Sequence, residues 1–105
     1  MPTIYNYLGF VFLIFLKDHN PIHVHVRHGK RESVINIFES HGKVTSVEPR
    51  KKGNSSSNKK ELAPWELKTA IKFVNIKAED IVAAWKLINK GEYHQKPIKI
   101  TRKIV

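Results

Sequence analysis

Cysteine is absent from this 105-residue chain, which excludes both a disulfide framework and a cysteine-ligated zinc site. That absence fits a reducing cytoplasm without requiring one. Acidic residues are scarce as well: 9 Asp and Glu face 19 Lys and Arg, for a formal charge of +10. A neutral partner is therefore disfavoured against a polyanionic one. Long apolar runs are missing too. Residues 8–16 carry no charge, but nine residues fall far short of the roughly 20 that span a bilayer as a helix. No Lys or Arg precedes that run, and Lys17-Asp18-His19-Asn20 makes a poor cleavage region, so it is no signal peptide. No internal repeat is present. The chain reads as one cytoplasmic domain over residues 1–105, with no membrane partner and a modest single core.

The histidines are unevenly placed. Three of the six lie in Asp18-His19-Asn20-Pro21-Ile22-His23-Val24-His25-Val26-Arg27. If residues 22–28 form a strand, Ile22, Val24 and Val26 share one face, while His23, His25 and Arg27 share the other. Gly29-Lys30 has the glycine-first form of a two-residue type II′ hairpin loop, so residues 31–38 read as the returning strand. Closing the loop there pairs His28 with Arg31, Arg27 with Glu32, Val26 with Ser33, His25 with Val34, Val24 with Ile35, His23 with Asn36 and Ile22 with Ile37. Both strands then agree on the buried face, whereas a slip of one residue would turn Glu32 and Asn36 into the core. The expected polar face carries His23, His25, Arg27, Glu32 and Asn36.

Before that hairpin, a first strand runs to about residue 16, apolar on both faces and central in a sheet. Residues 17–21 make the turn between them. Residues 43–48 are a weaker fourth strand, broken in its alternation by a bulge or lying at an edge. Residues 49–60, Pro-Arg-Lys-Lys-Gly-Asn-Ser-Ser-Ser-Asn-Lys-Lys, have nothing apolar to bury and read as a flexible basic loop. A helix follows from Pro64, with Leu67, Ala70, Ile71 and Val74 at helical spacing. Asn75-Ile76-Lys77 reads as a break. A second helix then opens on Glu79 and Asp80, buries Ile81, Ala84, Trp85 and Ile88, and ends at Gly91. Residues 97–105 form a C-terminal arm, in which Ile98 and Ile100 could add a short strand. The fold class is α+β: an antiparallel meander of three or four strands followed by two helices packed on one face.

The histidine row admits two chemistries. Cleaving RNA by its own 2′-hydroxyl needs a base, an acid and a cation for the phosphorane charge, and these can be supplied without a metal. His23 and His25 would be the acid and base, Arg27 the phosphate ligand, and Glu32 or Asp18 the orienting carboxylate, with His19 adjacent. Alternatively His23 and His25 chelate zinc or another divalent ion, completed by His19, Asp18 or a distant residue. A third reading makes the histidines half-exposed strand residues bonded to nearby backbone. His28, His41 and His94 lie in or beside turns, with no partner evident in the sequence.

The basic excess is local: residues 30–60 hold eight basic against three acidic side chains. Lys30, Arg31, Arg50, Lys51, Lys52, Lys59 and Lys60 are the candidate nucleic-acid contacts, positioned to hold phosphates without reading sequence. Trp65 is the aromatic best placed to lie exposed and stack on a base, while Trp85 belongs to the core stripe.

The segment from Asp18 to Val26, with Met1-Pro2-Thr3-Ile4 before it and Trp85 and Gly91-Glu92 after, resembles a family of small bacterial proteins known as domain of unknown function 4160. Pro21-Ile22-His23 stands where that family usually has Pro-Pro-His. Members are similar in size and setting to components of bacterial toxin and antitoxin pairs. The resemblance implies a nucleic-acid-directed role and a small acidic protein partner for the toxin-like member, and it names no substrate; RNA is expected before DNA. It assigns no proven catalytic residue and no cofactor. A homodimer through an uncovered edge strand is a further expectation.

Overall fold

The uncharged run near the N-terminus does not form one strand. In the computed structural model, which describes residues 3–15, 21–50 and 60–105, it is divided between β1 (Thr3–Tyr7) and β2 (Phe10–Leu13), an antiparallel hairpin. Leu8 and Gly9 turn the chain with φ of 45° and 89°. Two consecutive positive φ values give the turn whose twist matches that of the flanking strands, and Gly9 adopts its value without a Cβ penalty. The expected centrality holds for β2, which lies inside the sheet; the expected single strand does not.

β3 (His23–His28) and β4 (Arg31–Ser40) pair as the alternation required, with His28 against Arg31, Arg27 against Glu32, His25 against Val34 and His23 against Asn36. Gly29 sits at φ 61° while Lys30 keeps a negative φ, as a type II′ loop demands. Ile22 joins one step beyond the strand, its carbonyl accepting from the Ile37 amide at 2.8 Å. β5 (Lys43–Pro49) follows β4 antiparallel, with the register shifting between Phe38 and Glu39, and it forms an outer edge of the sheet. Both features expected of the fourth strand, a bulge and an edge position, are therefore present.

The two expected helices are one. α1 (Pro64–Asn89) runs 26 residues without interruption. Asn75-Ile76-Lys77 contains neither proline nor glycine, so nothing there removes a helical hydrogen bond. The buried stripe Ala70, Val74, Ala78, Ile81, Trp85, Ile88 carries straight through it. Glu79 and Asp80 are consequently mid-helix residues and cap nothing. Pro64 occupies the first turn. At the far end, Gly91 donates to the Ile88 carbonyl and Glu92 to that of Leu87, closing a Schellman motif.

From the C-terminal arm, β6 (Ile98–Ile100) adds to β1 in parallel, pairing Tyr5 with Ile98 and Tyr7 with Ile100. The result is a mixed six-stranded sheet in the order β5-β4-β3-β2-β1-β6, five strands of it an antiparallel meander, with α1 across one face. Helix and sheet meet at Phe73, which stacks on Phe12 and Tyr7 and meets Tyr5 edge-on. Val24, Val26, Ile35 and Ile37 fill the rest of that interface, all fully buried. No helix of the described residues is long and apolar enough to cross a membrane.

Candidate functional site

The alternation of β3 places His23, His25 and Arg27 on the face away from α1, as expected, but the two imidazoles are not open to solvent. His23 is 5% exposed and His25 9%. His23 donates from Nδ1 to the Pro21 carbonyl at 2.8 Å. His25 stacks on Phe15 with centroids 3.9 Å apart. The two rings meet edge to face at 5.2 Å. Arg27 donates through Nε to Glu32 Oε1 at 2.5 Å, a cross-strand pair fixed by the register. The structure thus brings His23, His25, Arg27 and Glu32 onto one face. Asp18 and His19 lie outside the described residues, as does most of the turn over residues 17–21.

Among the described residues, no three His, Asp or Glu side chains gather where they could hold one ion. The pair His23 and His25 is all that the described residues offer to the zinc reading.

The cations separate into two groups. Arg50 donates through Nε and Nη2 to Asn36 Oδ1 at 3.1 and 2.8 Å, which ties it to the histidine face. At the end of the sheet, Lys30 caps the β3–β4 loop and Arg31 opens β4. Lys60 joins them there through a bridge to Arg31, with the Glu32 amide donating to the Lys60 carbonyl at 2.8 Å. Arg31 also donates through Nη1 to the Glu61 carbonyl at 3.0 Å. Three cations from two distant segments therefore stand at one end of the sheet. Lys51, Lys52 and Lys59 fall outside the described residues.

Beside these cations lies a pair that the sequence pattern does not single out. His28, for which the sequence shows no partner, is bonded through Nδ1 to Glu66, 38 positions along the chain. Glu66 is 5% exposed, at the third position of α1. Ala63 at the N-cap has no side chain to satisfy an amide, so Glu66 Oε1 reaches back to accept the Ala63 N–H at 2.8 Å. Burial alone would raise the Glu66 pKa; the Ala63 amide, His28 and Arg31 outweigh it and hold the carboxyl below its ordinary value of 4.5. Arg31 Nε stands 4.0 Å from Oε1. Two signals in the sequence point here. Counting by twos from Ile22 puts His28 on the core face with Val24 and Val26, and Pro64 at the helix start makes Glu66 the residue that reaches back over it.

A family model described as a domain of unknown function (DUF4160) matches residues 9–86, a span that takes in the histidine row, the His28–Glu66 pair and the basic end of the sheet, and stops short of β6. No curated protein and no solved structure matches the chain.

Proposed function

The chain belongs to the domain of unknown function (DUF4160) family, and from that premise we propose that it engages nucleic acid, RNA before DNA, through the basic end of its sheet. The observation that supports this is the bridge between Arg31 and Lys60, which brings Lys60 from a distant segment to the end of the sheet where Lys30 lies in the β3–β4 loop. Cations at one end of the sheet contribute a sequence-independent phosphate attraction, and a net charge of +10 adds to it at long range. In a toxin-like role, a small acidic partner protein would cover the same cations and neutralise them.

Salt dependence of binding tests this. Measured against a single-stranded oligonucleotide, the slope of log affinity on log salt should fall by about 2 when Lys30, Arg31 and Lys60 are all changed to Gln, at about 0.7 for each phosphate no longer neutralised. An unchanged slope and affinity would remove the phosphate-contact reading.

Catalysis at the histidine row is a second reading, favoured by His23 and His25 lying edge to face on the same side as Arg27 and Glu32. There His23 and His25 would exchange protons and Arg27 would hold the phosphate. Expression of wild type beside His23→Asn/His25→Asn, following growth and the integrity of total RNA, separates the two readings. Fragmentation by wild type only, with both proteins folded, favours catalysis; intact RNA in both leaves the protein a binding module whose histidines are structural.

A further inference from the structure

The basic end of the sheet carries more than charge. Trp65, in the first turn of α1, is 62% exposed, so burial does not account for its place there. His28 meets its edge at 5.7 Å and 86°, and lies flat on Phe10 with centroids 4.2 Å apart. The imidazole is therefore fixed in orientation by one ring beneath it, one beside it and a carboxylate at Nδ1. In the tautomer whose Nδ1 donates to the Glu66 carboxylate, Nε2 is the acceptor. Among the described residues Nε2 makes no hydrogen bond, and the side chain is 26% exposed. Arg31 is paired with His28 across the hairpin, and Lys60 bridges to Arg31.

These groups match the parts of one nucleotide. An exposed aromatic face takes an unpaired base, a cation takes its phosphate, and an oriented acceptor suits the 2′-hydroxyl, the group by which a protein tells RNA from DNA at a given site. We propose that Trp65, Arg31 and His28 form a one-nucleotide subsite for single-stranded RNA, in which Trp65 stacks the base, Arg31 holds the phosphate and His28 Nε2 accepts the hydrogen bond of the ribose 2′-hydroxyl. The subsite rests on the nucleic-acid reading above and deepens it from phosphate attraction to recognition of RNA. Glu66 is its positioning residue, setting the tautomer and the angle of the ring.

Fluorescence anisotropy of the full chain with one short sequence, prepared as labelled single-stranded RNA, DNA and 2′-O-methyl RNA, tests the proposal. Wild type should bind the RNA at least about fivefold more tightly than the other two, since neither of them can donate from the 2′ position. Trp65→Ala should weaken all three by about tenfold, the usual scale of a lost base stack. His28→Asn puts an amide nitrogen where Nδ1 stands, able to donate to Glu66, with nothing at the place of Nε2, and should bring affinity for RNA down to that for DNA. Equal affinity of wild type for RNA and 2′-O-methyl RNA would overturn the proposal whether or not the His28 variant folds, and so would a preference that survives in a folded His28→Asn. Salt-dependent binding without a 2′-hydroxyl preference removes the subsite alone. Failure to bind any of the three at low salt removes the nucleic-acid reading together with it.

Discussion

Phe12 and Phe73 stack at 4.5 Å and 20°, joining the middle of the sheet to the middle of the helix. Both rings are fully buried, and Tyr5 and Tyr7 close the cluster from β1. α1 is the only helix of the described residues, and Phe73 makes three ring contacts from it to the sheet.

Phe73→Ala should therefore destabilise the fold by about 3 to 5 kcal/mol, the range for truncating a buried Phe that leaves a cavity. Phe73→Leu, which refills most of that volume, should cost less than half as much. Chemical denaturation with an unchanged m-value checks both. A loss below about 1 kcal/mol for the alanine variant would show that the helix is held elsewhere.

Leu8 is in the left-handed region at φ 45° and is 47% exposed, so it bears backbone strain with little burial in return. Leu8→Asn should stabilise the protein by about 0.5 to 1 kcal/mol, because Asn tolerates that conformation and suits the turn. Gly9→Ala should act in the opposite sense: its φ is 89°, and a Cβ there would meet His28 Nε2 at 3.4 Å. Thermal unfolding of the two variants should show midpoints displaced in opposite directions.

Acid should weaken the fold in part through Glu66. Its folded-state pKa lies below the ordinary 4.5, so the stability it contributes is complete above about pH 4.5 and is lost as pH falls through the lower folded value. Glu66→Gln should cost about 1 to 3 kcal/mol at neutral pH, the scale for a buried hydrogen bond to a charged group. The difference from wild type should narrow on acidification. A gap that stayed constant from about pH 7 to about pH 3 would mean that the ionised form makes no special contribution.

Alkali should act through Tyr5. Burial first, then Asp80 and Tyr93, push its hydroxyl up to about 12. Because the folded pKa exceeds the ordinary 10.0, the associated stability is complete below pH 10 and lost as pH rises through 12. Phenolate absorbance followed against pH should include a component near 12 that is missing in Tyr5→Phe. Its persistence in that variant would move the assignment to another tyrosine.

The β3–β4 register is legible in the sequence because two patterns that do not depend on each other, side-chain alternation and a glycine-first loop, allow one pairing. The first hairpin is hidden for the opposite reason. Residues 4–16 carry no charge and Asn6 alone interrupts them with an amide, so no change of period marks the turn, and Leu8-Gly9 lacks the Asn or Asp that usually announces one. Asn75-Ile76-Lys77 reads as polar punctuation between two helices, although none of the three breaks a helix. At the candidate site, the sequence tells which face His23, His25 and Arg27 share but not that Phe15 covers His25, because burial on that face is a property of the folded neighbours. The His28–Glu66 pair needs the docking of α1 on the sheet, which local patterns do not contain.

β6 lies beside β1 in parallel, and Tyr7 Oη accepts the amides of Ile104 and Val105 at 3.1 and 3.2 Å. As the ribosome delivers the chain, β1 is made before β6 and keeps one flank bare until some ninety further residues have been added. A nascent chain stalled anywhere in that interval presents unsatisfied backbone donors and acceptors to its neighbours on the polysome. The sheet is thus sealed only once β6 has been made.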